Sequence, residues 1–169
     1  MAKSKKRKGN LSVLMDYAGR RRVLTYLSWV LSAISALTAL VPFIFVWLIV
    51  RGVIEANGNF AAVQGSLSVY GWWAVGSALI SMLVYFAALM CSHVAAFRVA
   101  GNMRKRAMRH IGALPVGFMN SLGSGRGRRI VNESSGATET YLAHQLPDMV
   151  GAFATPVGMI VLLFVFDWR

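Results

Sequence analysis

The chain alternates between long apolar runs and short polar ones. Val23–Val50, Leu67–Phe97 and Met149–Phe166 contain no Asp, Glu, Lys or Arg. Each reaches the roughly 18–20 residues that a helix needs to cross hydrocarbon. None needs an amphipathic period, because lipid accepts a helix that is apolar all round. The pattern predicts an all-α membrane protein with three transmembrane helices, spanning about 23–50, 67–97 and 149–166. Pro42 lacks a backbone donor and is expected to kink the first span. Residues 51–65, with an Asn57-Gly58 turn signal, are expected to form the loop to the second.

The polar runs have periodicity of their own. Residues 1–10 form a basic tail, expected to be disordered. Leu11, Leu14, Met15 and Ala18 then recur on one helical face. They fit an interfacial elbow helix over 11–22 or an extension of the first span. Between spans two and three, Ala100, Met103, Ala107, Ile111 and Leu114 lie opposite Arg98, Asn102, Lys105 and Arg109. Span two is therefore expected to continue beyond the membrane, as one arm of a hairpin over 98–148, and to stop at Leu114-Pro115. Ile130, Ser134, Ala137 and Tyr141 mark one face of a return arm of matching length. Leu146-Pro147-Asp148 marks re-entry into lipid, with Asp148 at the N-terminal side of span three, where the helix dipole favours a carboxylate.

Charge orients these elements. The net charge is +12, and sixteen of the eighteen Lys and Arg fall in residues 1–22 and 98–148. The positive-inside rule accounts for that bias without nucleic acid as a partner, and places the N-terminus and the hairpin in the cytoplasm. Trp47, Trp72, Trp73 and Trp168 then fall at the outward ends of the spans as an aromatic belt. The single cysteine, Cys91, excludes an intrachain disulfide. The expected location is a cell membrane, crossed several times, with the lipid bilayer as first partner.

Candidate chemistry is sparse. Gly123-Ser124-Gly125-Arg126-Gly127 has neither the lysine nor the preceding strand of a phosphate loop. No nucleophile–base constellation is apparent, so no catalytic, cofactor-binding or metal residue is assigned. His110 and His144 lie on opposite arms without an evident third ligand. Ser28, Ser32, Ser35 and Ala39 form a small polar stripe on span one, fitting either a transport pathway or, more commonly, close helix approach. Phe118, Met119 and Leu122 are apolar side chains in the glycine-rich tip over 115–129. They fit a docking surface or a fold back onto the arms.

The string SHVAAFRVAGNMRKRAMRHIGALPVGFMNSLGSGRGRRIVNESSGATETYLAHQLPD, residues 92–148, resembles the first intracellular loop of ABC transporters with an exporter-type transmembrane domain. The matching positions are Leu114, Pro115, Phe118, Ser124, Gly125, Arg126, Ile130 and Leu146-Pro147-Asp148. The wording is nearest the branch that includes iron–siderophore transport proteins. Two positions depart from the pattern: Gly127 replaces an apolar residue, and Asn120 an acidic one. The resemblance implies that 23–169 is part of a six-helix transmembrane domain. It also implies a coupling segment (Phe118, Met119, Leu122 and Arg126) that meets an ATPase domain in cis or trans, and a second transporter half. ATP and Mg would belong to that ATPase domain; this chain is expected to hold no cofactor and no enzyme activity alone. It holds three of six spans and is expected to be the N-terminal part of such a protein, through a truncated gene or an incomplete record. The competing class is a small non-transporting anchor or regulator acting through the basic hairpin. Coding sequence beyond Arg169 discriminates the two: further spans and a G-x-x-x-x-G-K-[ST] motif belong only to the transporter.

Overall fold

The computed structural model describes residues 10–19, 22–56, 60–115, 117 and 123–166, and every regular element among them is helical. In chain order these are α1 (Asn10–Ala18), α2 (Arg22–Thr38), α3 (Val41–Glu55), α4 (Phe60–Gly112), α5 (Ser124–Thr140), a π-turn (Tyr141–Gln145) and α6 (Leu146–Phe166). Three stretches are long and apolar enough to cross a membrane: Arg22–Glu55, Val63–Gly112 and Gly125–Phe166. Within their apolar windows only 11%, 11% and 6% of residues are buried. Such apolar exposure is stable in lipid or against further helices, and not in water.

The chain divides into two units: Met1–Leu27 with Met90–Leu146, and Ser28–Leu89 with Pro147–Arg169. In the first, α1 buries Met15 and Ala18. Side chains satisfy the carbonyls at its C-terminal end. Arg22 donates from Nε to the Met15 carbonyl at 2.7 Å and pairs with Asp16 at 2.9 Å. Asn102 donates to the Tyr17 carbonyl at 2.9 Å, and the Arg106 guanidinium sits 5.3 Å above the Tyr17 ring. Gly19, at φ +57°, supplies the left-handed turn that ends the helix. In the same unit α4 buries a strip of small residues, Ser92, Ala95, Ala96, Val99 and Ala100. Ser92 donates to the Ala143 carbonyl at 2.8 Å, and Arg104 pairs with Glu139 at 3.4 Å. These contacts set α4 against the return segment.

In the second unit α2, α3, the first part of α4 and α6 come together. Ser35 and Ser81 exchange hydrogen bonds, each hydroxyl donating to the other's carbonyl, at 3.0 and 3.1 Å. A Cβ on Gly158 would lie 2.6 Å from Leu40 Cδ1 and 2.7 Å from Leu37 Cδ2, so any larger residue would have to displace both leucine tips where α6 approaches this part of the first span. Phe45 stacks on Tyr70 and Trp73 at 6.5 and 6.4 Å, and Trp47 meets Phe166 at 4.6 Å. Trp168, the fourth tryptophan expected in the outer belt, lies outside the described residues.

Several boundaries differ from expectation. The first span is interrupted near the expected place: α2 stops at Thr38 and α3 starts at Val41, with a two-residue turn between them inside one apolar stretch. Pro42 has no N–H for the Thr38 carbonyl, and Phe43 N–H bonds to Leu40 at 3.1 Å, restarting the helix. The loop expected over 51–65 is largely helical, since α3 runs to Glu55 and α4 begins at Phe60. Arg51 and Glu55, paired at 2.7 Å across one turn, carry the helix past its apolar window. The outgoing arm ends at Gly112, two residues early, because Ala113 and Leu114 bond back to His110 and Ile111 in a tightened final turn. The tip is not irregular throughout: 124–129 are the first turns of α5. Gly123, at φ +72°, precedes them as the cap, and Gly127 N–H bonds to its carbonyl at 3.2 Å. The return arm buries Gly127, Ser135, Leu142 and Ala143, while Ile130, Ser134 and Ala137 are exposed. Its inward face is therefore about one position off the expected one.

The re-entry point differs most. No helix terminus precedes Asp148, since Leu146 N–H bonds to the Tyr141 carbonyl and the backbone winds on through the π-turn. Pro147 cannot donate to the carbonyl of Ala143, four residues back; that carbonyl accepts the Ser92 hydroxyl instead. A widened turn and one serine thus absorb a proline that would otherwise end the helix. With no free N-terminus there, the dipole does not account for Asp148.

Candidate functional site

The polar groups of the second unit converge on one place. Ser32, Ser35 and Ser81 are only 3, 4 and 7% exposed, although each lies in an apolar stretch. The α2 register brings Ser32 and Ser35 to one side, where neighbouring backbones supply acceptors. Ser32 donates to the Pro147 carbonyl at 2.7 Å, and Ser35 bonds with Ser81 as above. Gly151 packs beside this bond; a Cβ there would meet Ser32 Oγ at 3.6 Å, an ordinary contact. Ser28, one turn earlier on the stripe, is fully buried.

A cavity of about 200 Å3 opens beside these bonds, lined by Ser32, Ser35, Ala36, Ala39, Tyr85, Asp148, Gly151, Ala152 and Thr155. The Tyr85 hydroxyl donates to Asp148 Oδ1 at 3.3 Å, and Thr155 turns its hydroxyl back to the Gly151 carbonyl at 3.0 Å. A carboxylate costs free energy in an apolar span unless it has partners, and here a phenol supplies one. The arrangement suits hydrogen-bond donors or positive charge, and offers no activated nucleophile.

Sequence reading found Ser32 and Ser35 and missed what they meet. Ser81 and Tyr85 escaped notice, although they are polar residues one turn apart on α4. That spacing was the available signal. Of the expected coupling residues, Arg126 is exposed on the first turn of α5, while Phe118, Met119 and Leu122 lie outside the described residues. His144 meets His93, at 4.7 Å between ring centroids, and not His110. Among the described residues no three metal-ligating side chains come together.

Residues 25–169 match the family described as the ABC transporter transmembrane region. The chain is also similar to the mycobactin import ATP-binding/permease protein IrtA of Mycobacterium tuberculosis, 34% identical over 143 residues, covering 85% of this chain and 16% of that protein. The IrtA proteins of Mycolicibacterium thermoresistibile and Mycolicibacterium smegmatis are 30 and 28% identical over 145 and 148 residues, covering 84 and 85% of this chain and 15 and 16% of theirs. The chain thus spans about a sixth of the length of the curated relatives it matches. A stand-alone anchor is not favoured by these matches. Three apolar helices, a polar cluster among them and a family match over nearly the whole length agree: the chain is multi-pass membrane permease sequence and belongs to the ABC transporter transmembrane-region family.

Proposed function

We propose that this chain contributes the first three spans of a permease driven by ATP hydrolysed in a domain outside it, and that the cargo is a siderophore of the mycobactin class. The observation that carries the reading is the family match over residues 25–169; the names of the relatives point to the cargo. In this reading the N-terminus and the hairpin face the cytoplasm, which the concentration of Lys and Arg supports. The membrane is the inner or plasma membrane, and a second transporter half completes the pathway. Nucleotide-driven closure of two ATPase domains moves the hairpin tips through Phe118, Met119, Leu122 and Arg126, and the spans swing between inward- and outward-facing states. Ser28, Ser32 and Ser35 hold helices together instead of lining the route. Their depth of burial and the bonds of Ser32 and Ser35 to neighbouring backbones support that role.

Full-length protein in proteoliposomes tests the function. ATP-dependent uptake of a ferric siderophore of this class is expected. Phe118→Asp should abolish uptake while nucleotide still binds, because the mechanical link is cut and the ATPase site is not. No uptake by a correctly inserted, ATP-hydrolysing protein would refute the cargo, and unimpaired uptake by Phe118→Asp would refute the coupling. For orientation, in a Cys91→Ser background, Asn59→Cys should react with an impermeant maleimide on intact cells and Ser121→Cys should not; the reverse pattern overturns the topology.

A further inference from the structure

The first unit contains a pair of side chains that the transport reading does not use. His93 of α4 and His144 of the π-turn stand with ring centroids 4.7 Å apart and planes at 82°. Their register is fixed from within. Ser92 and Ala143, the residues immediately before them, are 1 and 2% exposed and joined by the 2.8 Å hydrogen bond described above. One position further on, each segment presents an imidazole at the rim of this buried contact, with His93 half-buried and His144 exposed.

We infer that His93 and His144 form a two-imidazole chelate for a divalent transition-metal cation of the Zn2+, Ni2+ or Cu2+ class. Imidazole nitrogen suits these ions. The spacing does too. With a metal–nitrogen bond of about 2.0–2.1 Å and a ring centroid about 1.1 Å beyond the nitrogen, two imidazoles on one ion stand about 4.5 Å apart at a right-angled N–metal–N angle and about 5.2 Å apart at the tetrahedral angle. The observed 4.7 Å lies between these limits. Phe97, 5.8 Å from His93, backs that ring. Cys91 falls about 200° round α4 from His93 and cannot join. Two protein ligands leave the remaining positions to water or to an incoming chelator, so the ion exchanges readily. While bound, it ties α4 to the return segment.

The competing account is an edge-to-face ring contact with no ligand. Copper nitrilotriacetate separates the two, because its two open positions accept a pair of imidazoles much more tightly than one. Full-length protein in lipid nanodiscs, in a Cys91→Ser background, should show a copper signal with two added nitrogen ligands by electron paramagnetic resonance. His93→Gln and His144→Gln should each weaken binding at least about tenfold. His110→Gln, on the one other histidine of this chain, should leave it unchanged. Size-exclusion profiles matching the parent establish that each variant is folded, and His144→Asn provides a second substitution at the exposed member. Parent-like binding by either Gln variant, or a loss that tracks with His110, would overturn the site.

Discussion

Two stretches of one helix, α4, both bury small side chains but display opposite kinds. Around Ser81 the helix turns a hydroxyl inward and displays Leu79, Ile80, Met82 and Leu83. Around Val99 it turns Ala95, Ala96 and Ala100 inward and displays Arg98, Asn102, Lys105 and Arg109. The backbone is the same; the medium differs. Lipid tails are as apolar as leucine, so nothing drives large apolar side chains inward there, and helices meet through small residues and hydrogen bonds. In water the hydrophobic effect sorts residues in the usual sense. Each stretch thus records the solvent it was selected for.

The most forceful way to break the comparison is to place the same charge on both stretches. Leu83 is 68% exposed and Met108 58% exposed, so neither is packed tightly. Leu83→Arg should raise the apparent insertion free energy of span two by about 3–4 kcal/mol, read as the fraction of the span integrated into microsomes. Met108→Arg should leave insertion unchanged and alter folding stability by no more than about 0.5 kcal/mol. Equal costs at the two positions would show that they share one environment.

A smaller effect is expected where α6 approaches α2. Gly158→Ile forces branched carbon into space held by the ends of Leu37 and Leu40. It should destabilise the helix assembly by about 1–3 kcal/mol, measured as a lowered detergent melting midpoint. Gly158→Ala should cost less, since both leucine tips can rotate away. An isoleucine variant as stable as the parent would mean that the helices do not pack here in the assembled protein.

This contrast also explains what could be read from the sequence. The apolar windows and the Ala100–Ile111 face were legible because each follows one rule for one solvent. The ends of the elements were not. Pro42 and Pro147 carry the same local signal, a missing donor. At Pro42 the helix breaks, and at Pro147 it continues, because a serine 55 positions earlier, Ser92, satisfies the freed carbonyl. No local pattern contains that information. The polar cavity was half legible for the same reason. Ser32 and Ser35 form a stripe on their own helix, whereas Tyr85 and Asp148 meet only through tertiary packing.

The Ser35–Ser81 exchange allows the membrane stretch to be sharpened quantitatively. Each hydroxyl donates to the other residue's carbonyl, so replacing one serine removes one bond and exposes one backbone acceptor. Both acceptors are backbone carbonyls that alanine retains, so Ser35→Ala and Ser81→Ala should each cost about 0.6–1.7 kcal/mol, the span typical of interhelical hydrogen bonds in membranes, and the double variant about their sum. Both variants should retain span insertion, because alanine is at least as apolar as serine. Single-variant costs indistinguishable from zero would reduce the pair to a close approach of small residues.

The smallest effect belongs to the other stretch of α4. Arg104 and Glu139 meet at 3.4 Å with side chains 43 and 26% exposed, so water reaches both. Screening and the entropy of holding two long side chains limit such a pair to about 0.2–1 kcal/mol. It should weaken further as salt rises, since the Debye length falls from about 10 Å at 0.1 M to about 3 Å at 1 M. The costs of Ser35→Ala and Ser81→Ala, set by bonds buried away from water, should not respond to salt. The measurement is therefore one comparison made twice: the Arg104→Ala/Glu139→Ala cycle and the two single serine variants, each at low and high sodium chloride. A salt-sensitive ionic cycle beside salt-insensitive serine variants is the expected outcome. If the Arg104–Glu139 coupling held its value in high salt, that pair would be shielded from solvent in the assembled protein, and the division of α4 into a lipid stretch and a water stretch would have to move beyond residue 104.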